Sequence, residues 1–277
     1  MDSKLKTAFI KTVKEYYKKH GRHDLPWRLT IDPYKITVSE VMLQQTQVAR
    51  VIEKYHEFLK AFPTVKKLAT APLQEVLLHW SGLGYNRRAR FLQRMAQSVI
   101  ENHNSIFPQT FEELLKLPGV GHYTAGAISA FAYNKPITII ETNIRTVYLH
   151  HFTPSLRSGL AAQNEISDKE LLPLIEQTLD VKNPREWYWA LMDYGSYLKS
   201  TGVKIHRTSA QYKKQKSFKG SLREVRGGIV KILTKESATA AKLEKQLSFE
   251  TGRIEHALQQ LLQEEFIIKK GKSYSIK

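Results

Sequence analysis

The chain has 277 residues, 42% of them hydrophobic, and its 43 Lys and Arg against 26 Asp and Glu give a formal charge of +17 and a pI near 9.8. No apolar run approaches the roughly 18–20 residues of a membrane span, and the lack of cysteine excludes disulfides, thiol nucleophiles, Cys-held iron–sulfur clusters and Cys-based zinc sites. A basic excess this large, with aromatic residues nearby, favours a polyanionic partner, nucleic acid first; the bland alternative is a solvated surface.

The length suits two compact domains. The N-terminal stretch "MDSKLKTAFIKTVKEYYKKHGRHDLPW" predicts an amphipathic helix, with Phe9, Val13, Tyr16 and Tyr17 at helical spacing. This stretch has no apolar signal core and no small-residue cleavage site, so an intracellular protein is expected. "DPYKITVSEVMLQQTQVARVIEKYHEFLKAF" carries apolar residues three and four apart up to Pro63, and "APLQEVLLHWSGLGY" predicts a helix ending on Gly82 and Gly84. "RRARFLQRMAQSVIENH" and "TFEELLKL" follow as further helices. Alternating strand patterns are absent before the C-terminus, so the expectation is an all-α domain over residues 1–198.

The composition then shifts. Residues 199–226 hold nine Lys or Arg and one acid without hydrophobic periodicity, and 199–221 reads as a basic linker. Residues 222–277 predict three helices and a terminal hairpin turning at Gly271, a winged-helix-like pattern related to helix-turn-helix DNA readers. Such modules also serve as protein docking units.

The strongest local signal is "KLPGVGHYTAGAI", residues 116–128. A helix ends near Leu117, Gly119 and Gly121 flank Val120 in a tight turn, and a second helix begins near Thr124. Glycine at such a turn lets a phosphate approach the backbone, and the N–H groups of the following helix start then point at it. Contacts of this kind hold DNA without reading its sequence. A plain helix–helix turn would need only one glycine.

This hairpin stands within a longer series: "LPWR" (25–28), "SEVMLQQTQV" (39–48), "FPTVKKLATAPLQEVL" (62–77), "GLGYNRRAR" (82–90) and "FPQTFEELLKLPGVGHYTAGAI" (107–128). In this order and spacing the chain resembles the helix-hairpin-helix (HhH-GPD) DNA glycosylase superfamily, and most resembles its adenine glycosylases. The resemblance implies a two-lobed all-α fold with a cleft between the lobes, followed here by the small winged-helix-like module. It also implies a monomer acting on double-stranded DNA with no membrane association, cytoplasmic and on the nucleoid in a bacterium or nuclear in a eukaryote.

Site residues follow by position. Glu40 matches the family's general acid, which protonates a purine leaving group after the nucleotide is turned out of the stack. Its ordinary alternative is a solvent-facing helix acid. Glu141, in "IIETNIRTV" (139–147), occupies the position of an aspartate that stabilises the sugar cation and helps position water. The extra methylene moves the carboxylate by about one C–C bond, on the order of 1.5 Å, and a misplacement of about 1 Å can cost about 100-fold in rate. Three readings stay open: Glu141 does the aspartate's work in an adjusted pocket, the pocket takes a different base, or the protein only binds DNA. Glu141 also fits a helix-start acid favoured by the dipole.

Tyr123 stands where bifunctional relatives carry a Schiff-base lysine, which implies a monofunctional enzyme, and Asn143 keeps the register after Glu141. Gln44 and Tyr85 fall where the family inserts residues into the opened duplex. Arg28 is expected to line the pocket near Glu40, and Arg87, Arg88, Arg90 and Arg145 to contact DNA together with Gly119, Val120 and Gly121. Every ligand of the family's iron–sulfur cluster is missing from the stretch that begins at Lys199. No redox or organic cofactor is implied, although the family's hairpin carbonyls hold a monovalent cation. The larger module that reads 8-oxoguanine in the family is replaced by residues 222–277, which leaves the partner base open. A thymine or uracil mismatch glycosylase and a catalytically silent DNA-binding protein are the rival expectations.

Overall fold

The computed structural model describes residues 2–157, 165–202, 209–211 and 217–277. Parts of the basic segment 199–226, residues 203–208 and 212–216, therefore lie outside the described residues. The chain divides into two compact units, one of Met1–Thr37, Gln109–Lys116 and Val120–Lys214, the other of Val38–Pro108, Leu117–Gly119 and Gln215–Lys277.

The first unit contains α1 (Ser3–His20), a short 3-10 turn (Pro26–Arg28), the start of α2 (Pro33–Leu43), α7 (Phe111–Lys116), α8 (His122–Phe131), α9 (Thr142–Arg157), α10 (Asp168–Thr178) and α11 (Pro184–Ser200). Local chemistry marks the helix ends. The Asp2 side chain accepts from Lys4 N–H at the start of α1, Ser167 and Glu170 form a reciprocal capping box on α10, and Pro184 opens α11. The core is aromatic: Phe9 meets Tyr148, Phe152 and Trp187 at ring-centroid distances of 5.2, 5.0 and 6.0 Å. Buried Tyr188 accepts from Ile139 N–H at 3.1 Å and donates to the Ile137 carbonyl at 2.9 Å. Those two bonds fix the extended segment that leads into Glu141. At Gly126 any Cβ would enter the Ile139 side chain, so α8 lies directly on that segment.

The second unit contains the end of α2, then α3 (Val48–Ala61), α4 (Val65–Thr70), α5 (Leu73–Trp80) and α6 (Arg87–Asn102). Phe58, Phe62 and Trp80 are fully buried and pack together, with Phe58 4.8 Å from Phe62 and 5.9 Å from Trp80. The same unit holds α12 (Leu222–Leu233), β1 (Ala238–Thr239), α13 (Ala240–Leu247), α14 (Thr251–Gln263), β2 (Ile267–Lys270) and β3 (Ser273–Ile276). The strands form an antiparallel sheet in the order β1-β3-β2, with Lys269 opposite Tyr274 and Gly271 at the turn. The predicted three helices and hairpin are present, and β1 adds a short third strand that the sequence pattern did not reveal.

Residues 215–277 share their compact unit with residues 38–108. Arg90 donates to the Glu264 carbonyl and to the Glu265 carboxylate (2.9 Å), Arg94 reaches the same carboxylate at 3.1 Å, and Gln74 donates to the Thr234 carbonyl at 2.9 Å.

One predicted helix is broken. The periodic run from Asp32 to Phe62 splits into α2 and α3 at residues 44–47, where Gln45 takes φ 57°. The reason is Arg88. Its guanidinium hydrogen-bonds the carbonyls of Val41 (2.9 Å), Met42 (3.0 Å) and Gln44, which a continuing helix would have given to its own N–H groups.

Candidate active site

Glu141 directly precedes α9, whose first backbone bond runs from Arg145 N–H to the Glu141 carbonyl at 2.8 Å. Its Oε1 accepts the N–H groups of Asn143 (2.7 Å) and Ile144 (2.8 Å), and its Oε2 accepts Asn143 Nδ2 at 3.2 Å. The carboxylate therefore caps the helix and is aimed by it. Glu141 remains partly solvent-accessible, but its surroundings are protein, and this burial pushes its pKa up from the usual carboxylate value. The Asn143 and Ile144 N–H groups, then Lys199 and Arg145, pull it back. Asn143 Oδ1 is buried with no hydrogen-bond partner among the described residues.

The neighbouring elements are arranged around this turn. At Gly195 in α11 a Cβ would collide with the Asn143 carbonyl, so α11 touches the first turn of α9. Arg145, expected at DNA, is instead held bidentate by Asp168 at 2.7 and 2.8 Å. Tyr123 is the second residue of α8 and is half-buried.

Arg28 belongs to a cluster that the sequence did not announce. Its guanidinium, 4% exposed, grips both oxygens of buried Asp193 at 2.7 and 2.9 Å, and Arg22 adds a side-chain bond at 2.7 Å and its own N–H at 2.8 Å. Arg28 is thus the counter-charge of Asp193, and the pocket-lining role expected for it is replaced by an internal one. Burial pushes the Asp193 pKa up, but Arg28 and Arg22 outweigh it and hold the carboxyl below its ordinary value. "WALMDYGSYLK" contains Asp193, yet no spacing rule ties it to residues 22 and 28.

In the second unit Glu40 lies on α2 and is 6% exposed, so it is not the solvent-facing helix acid of the ordinary alternative. Gln44 is half-buried in the turn that follows α2. Arg88 ties this turn to the glycine turn before α6: besides its α2 carbonyls it bonds Thr46 Oγ1 (3.1 Å) and the carbonyls of Leu83 (2.8 Å) and Gly84 (3.1 Å). Burial lowers its pKa to about 10. Arg88 and Arg90 are only 9% and 8% exposed and their terminal guanidinium nitrogens bond within the protein, where the expectation had them meeting phosphates. Arg87 is different, with a side chain 61% exposed and a long ion pair of 3.8 Å to Glu264. Tyr85 is exposed and has the left-handed φ of 48°.

At the hairpin α7 ends at Lys116 and α8 begins at His122. Gly119 has φ +76° and a Cβ there would strike Phe91. Val120 is buried, whereas Gly121 is exposed and has no atom within 4 Å of the position a Cβ would take. The backbone at Gly121 and the start of α8 is thus accessible. Among the described residues no group of His, Asp or Glu forms a metal-binding cluster, and no helix is long and apolar enough to cross a membrane.

Residues 38–167 match the family model of the HhH-GPD superfamily base excision DNA repair protein. The adenine DNA glycosylase of Mycobacterium tuberculosis is 30% identical over 277 residues, covering 92% of this chain and 88% of the relative. That of Buchnera aphidicola subsp. Baizongia pistaciae is 37% identical over 191 residues, 69% of this chain. The chain spans about half the length of the Buchnera relative (53%). Among solved structures, that of a thermostable thymine-DNA glycosylase is 26% identical with a TM-score of 0.63, covering 76% of this chain and 97% of the other. A trapped endonuclease III–DNA intermediate shares the fold at 20% identity and a TM-score of 0.52, covering 72% of this chain and 86% of that one.

Proposed function

Because the chain belongs to the HhH-GPD superfamily of base excision DNA repair proteins, we propose that it is a monofunctional DNA glycosylase releasing adenine mispaired with guanine or 8-oxoguanine. The observation that carries this reading is the Glu141 carboxylate, held by three N–H donors at the start of α9. Relatives named adenine DNA glycosylases support the choice of base.

In this reading the target nucleotide leaves the duplex stack. Buried Glu40, in its acid form, gives its proton to N7 of the purine. The C1′–N9 bond then breaks, its electron pair leaving with the base. Glu141 stabilises the resulting oxocarbenium-like sugar and takes a proton from the water that adds at C1′, so the deoxyadenosine residue of the strand plus water yields free adenine and an abasic site. Asn143 orients the Glu141 carboxylate, and its buried Oδ1 is an acceptor suited to that water. Tyr123 completes the site from α8.

Double-stranded DNA is the partner, gripped by a single chain at the chromosome, whether in a nucleoid or a nucleus. Gly119, Val120 and Gly121 with the start of α8 receive a phosphate, Arg87 contacts the backbone, and Gln44 and Tyr85 enter the opened duplex.

The test is a panel of duplexes, each with one mismatch or lesion, incubated with the protein and then cleaved at abasic sites by alkali. Strand breaks at adenine opposite guanine or 8-oxoguanine are expected, and no breaks on any duplex would refute the enzyme. Release of mismatched thymine is the second reading, favoured by the thymine-DNA glycosylase likeness. A pyrimidine has no N7, so Glu40→Gln would then spare the reaction.

A further inference from the structure

An anion that must stabilise a sugar cation has to stay ionised, and the burial of Glu141 works against this. The packing of α11 supplies an answer. Gly195 presses on the Asn143 carbonyl, and Lys199 lies one helical turn further along the same face. A helical side chain leans toward the N-terminus of its helix, which carries the Lys199 stem back over the Gly195 contact. The Lys199 stem is thus on the face of α11 that meets the first turn of α9, where its charge and that of Glu141 influence each other.

The charged groups around Glu141 and Lys199 divide by partner. Arg145, on α9, is neutralised by Asp168 of α10. Arg22, following α1, is neutralised by Asp193 of α11. Lys199, also on α11, has no carboxylate within ion-pair distance among the described residues. The Lys199 amine is half-buried and is pushed down by that burial, with Glu141 pulling it up and Arg22 pushing it down.

Resting on the glycosylase reading, we propose that Lys199 is a positioning residue of the reaction, an ammonium facing the first turn of α9 that keeps the Glu141 carboxylate ionised. It does not touch the sugar and is not a nucleophile here.

The test uses the full chain with Lys199→Met and Lys199→Arg, measuring single-turnover base release from pH 4.5 to 9 and DNA affinity in parallel. Loss of the ammonium is expected to move the acidic limb of the profile upward by about one unit, a tenfold loss of rate on that limb. Affinity should hold, and Lys199→Arg should restore the limb. A uniform loss at every pH, or a change in affinity alone, would overturn the inference. A carboxyl-carbon NMR titration of Glu141 reads the same coupling without turnover. A protein inactive on every duplex would refute the glycosylase reading, while an unmoved Glu141 titration in Lys199→Met would refute the role of Lys199.

Discussion

Arg223 of α12 donates a hydrogen bond to the Tyr85 hydroxyl at 2.5 Å, and its guanidinium stands 5.6 Å from the centroid of the same ring. Arg88 approaches that ring as well, at 5.5 Å. The tyrosine proposed as the duplex wedge therefore sits between one buried cation and one supplied by the C-terminal module. Its backbone is left-handed, which is uncommon for a bulky residue. Removing the Arg223 guanidinium should cost about 0.5–1 kcal/mol at this exposed site, or about 2- to 5-fold in base release. Arg223→Ala should also weaken the fluorescence rise of 2-aminopurine placed beside the mismatch, whereas a variant of an exposed lysine on the same module should not.

Glu141 caps α9 and, in the proposed reaction, stabilises the sugar cation, and different substitutions separate the two roles. Glu141→Gln keeps an oxygen for the N–H groups of Asn143 and Ile144, so its melting temperature should stay near that of the native chain. Base release should nevertheless fall about 100- to 1000-fold, the usual loss when one electrostatic stabiliser of a transition state is removed. Glu141→Ala should lose the activity and, with the cap gone, about 1 kcal/mol of stability as well. Unchanged release by Glu141→Gln would remove this residue from the mechanism.

Arg88 predicts a stability effect where a phosphate contact would predict a binding effect. Arg88→Ala strands several buried carbonyls, each costing about 1–3 kcal/mol when left unmade. Even a net 3 kcal/mol would lower the melting temperature by about 6–12 °C. The salt dependence of DNA binding by whatever fraction stays folded should be unaltered, because no phosphate partner has been lost.

The Arg28–Asp193–Arg22 cluster makes stability depend on pH at the acid end. Asp193 has a folded pKa below its ordinary 3.8, so it binds protons more weakly folded than unfolded. Its contribution is complete above 3.8 and declines as the pH falls through the lowered value. Arg28→Met should cost about 3–5 kcal/mol at neutral pH by leaving a buried carboxylate short of a partner, and adding Asp193→Asn should recover part of it. Urea unfolding at pH 7 and pH 3 checks both statements, since the single variant should lose more at pH 7.

Much of this was legible in the residues themselves. Apolar spacing located the helices, the glycines of "LPGVG" marked the hairpin, and the winged-helix-like pattern emerged from three amphipathic stretches and a Gly271 turn. Side-chain assignments fared differently. Three arginines in "NRRAR" look alike as a basic run, yet Arg87 is exposed while Arg88 and Arg90 are buried, because α6 turns them about 100° per residue onto different neighbours. Arg28 and Asp193 are 165 positions apart and no local periodicity links them.

By itself the sequence determined the helical class, the positive charge and the family, since these rest on residue type and short-range spacing, and it singled out the acids at 40 and 141 as candidates. It showed glutamate at 141 and the absence of cluster ligands from Lys199 onward as unrelated departures from the family. Only the tertiary structure brought their elements together, because the missing side chain of Gly195 lets α11 meet the first turn of α9, and a contact between distant helices leaves no trace in local order.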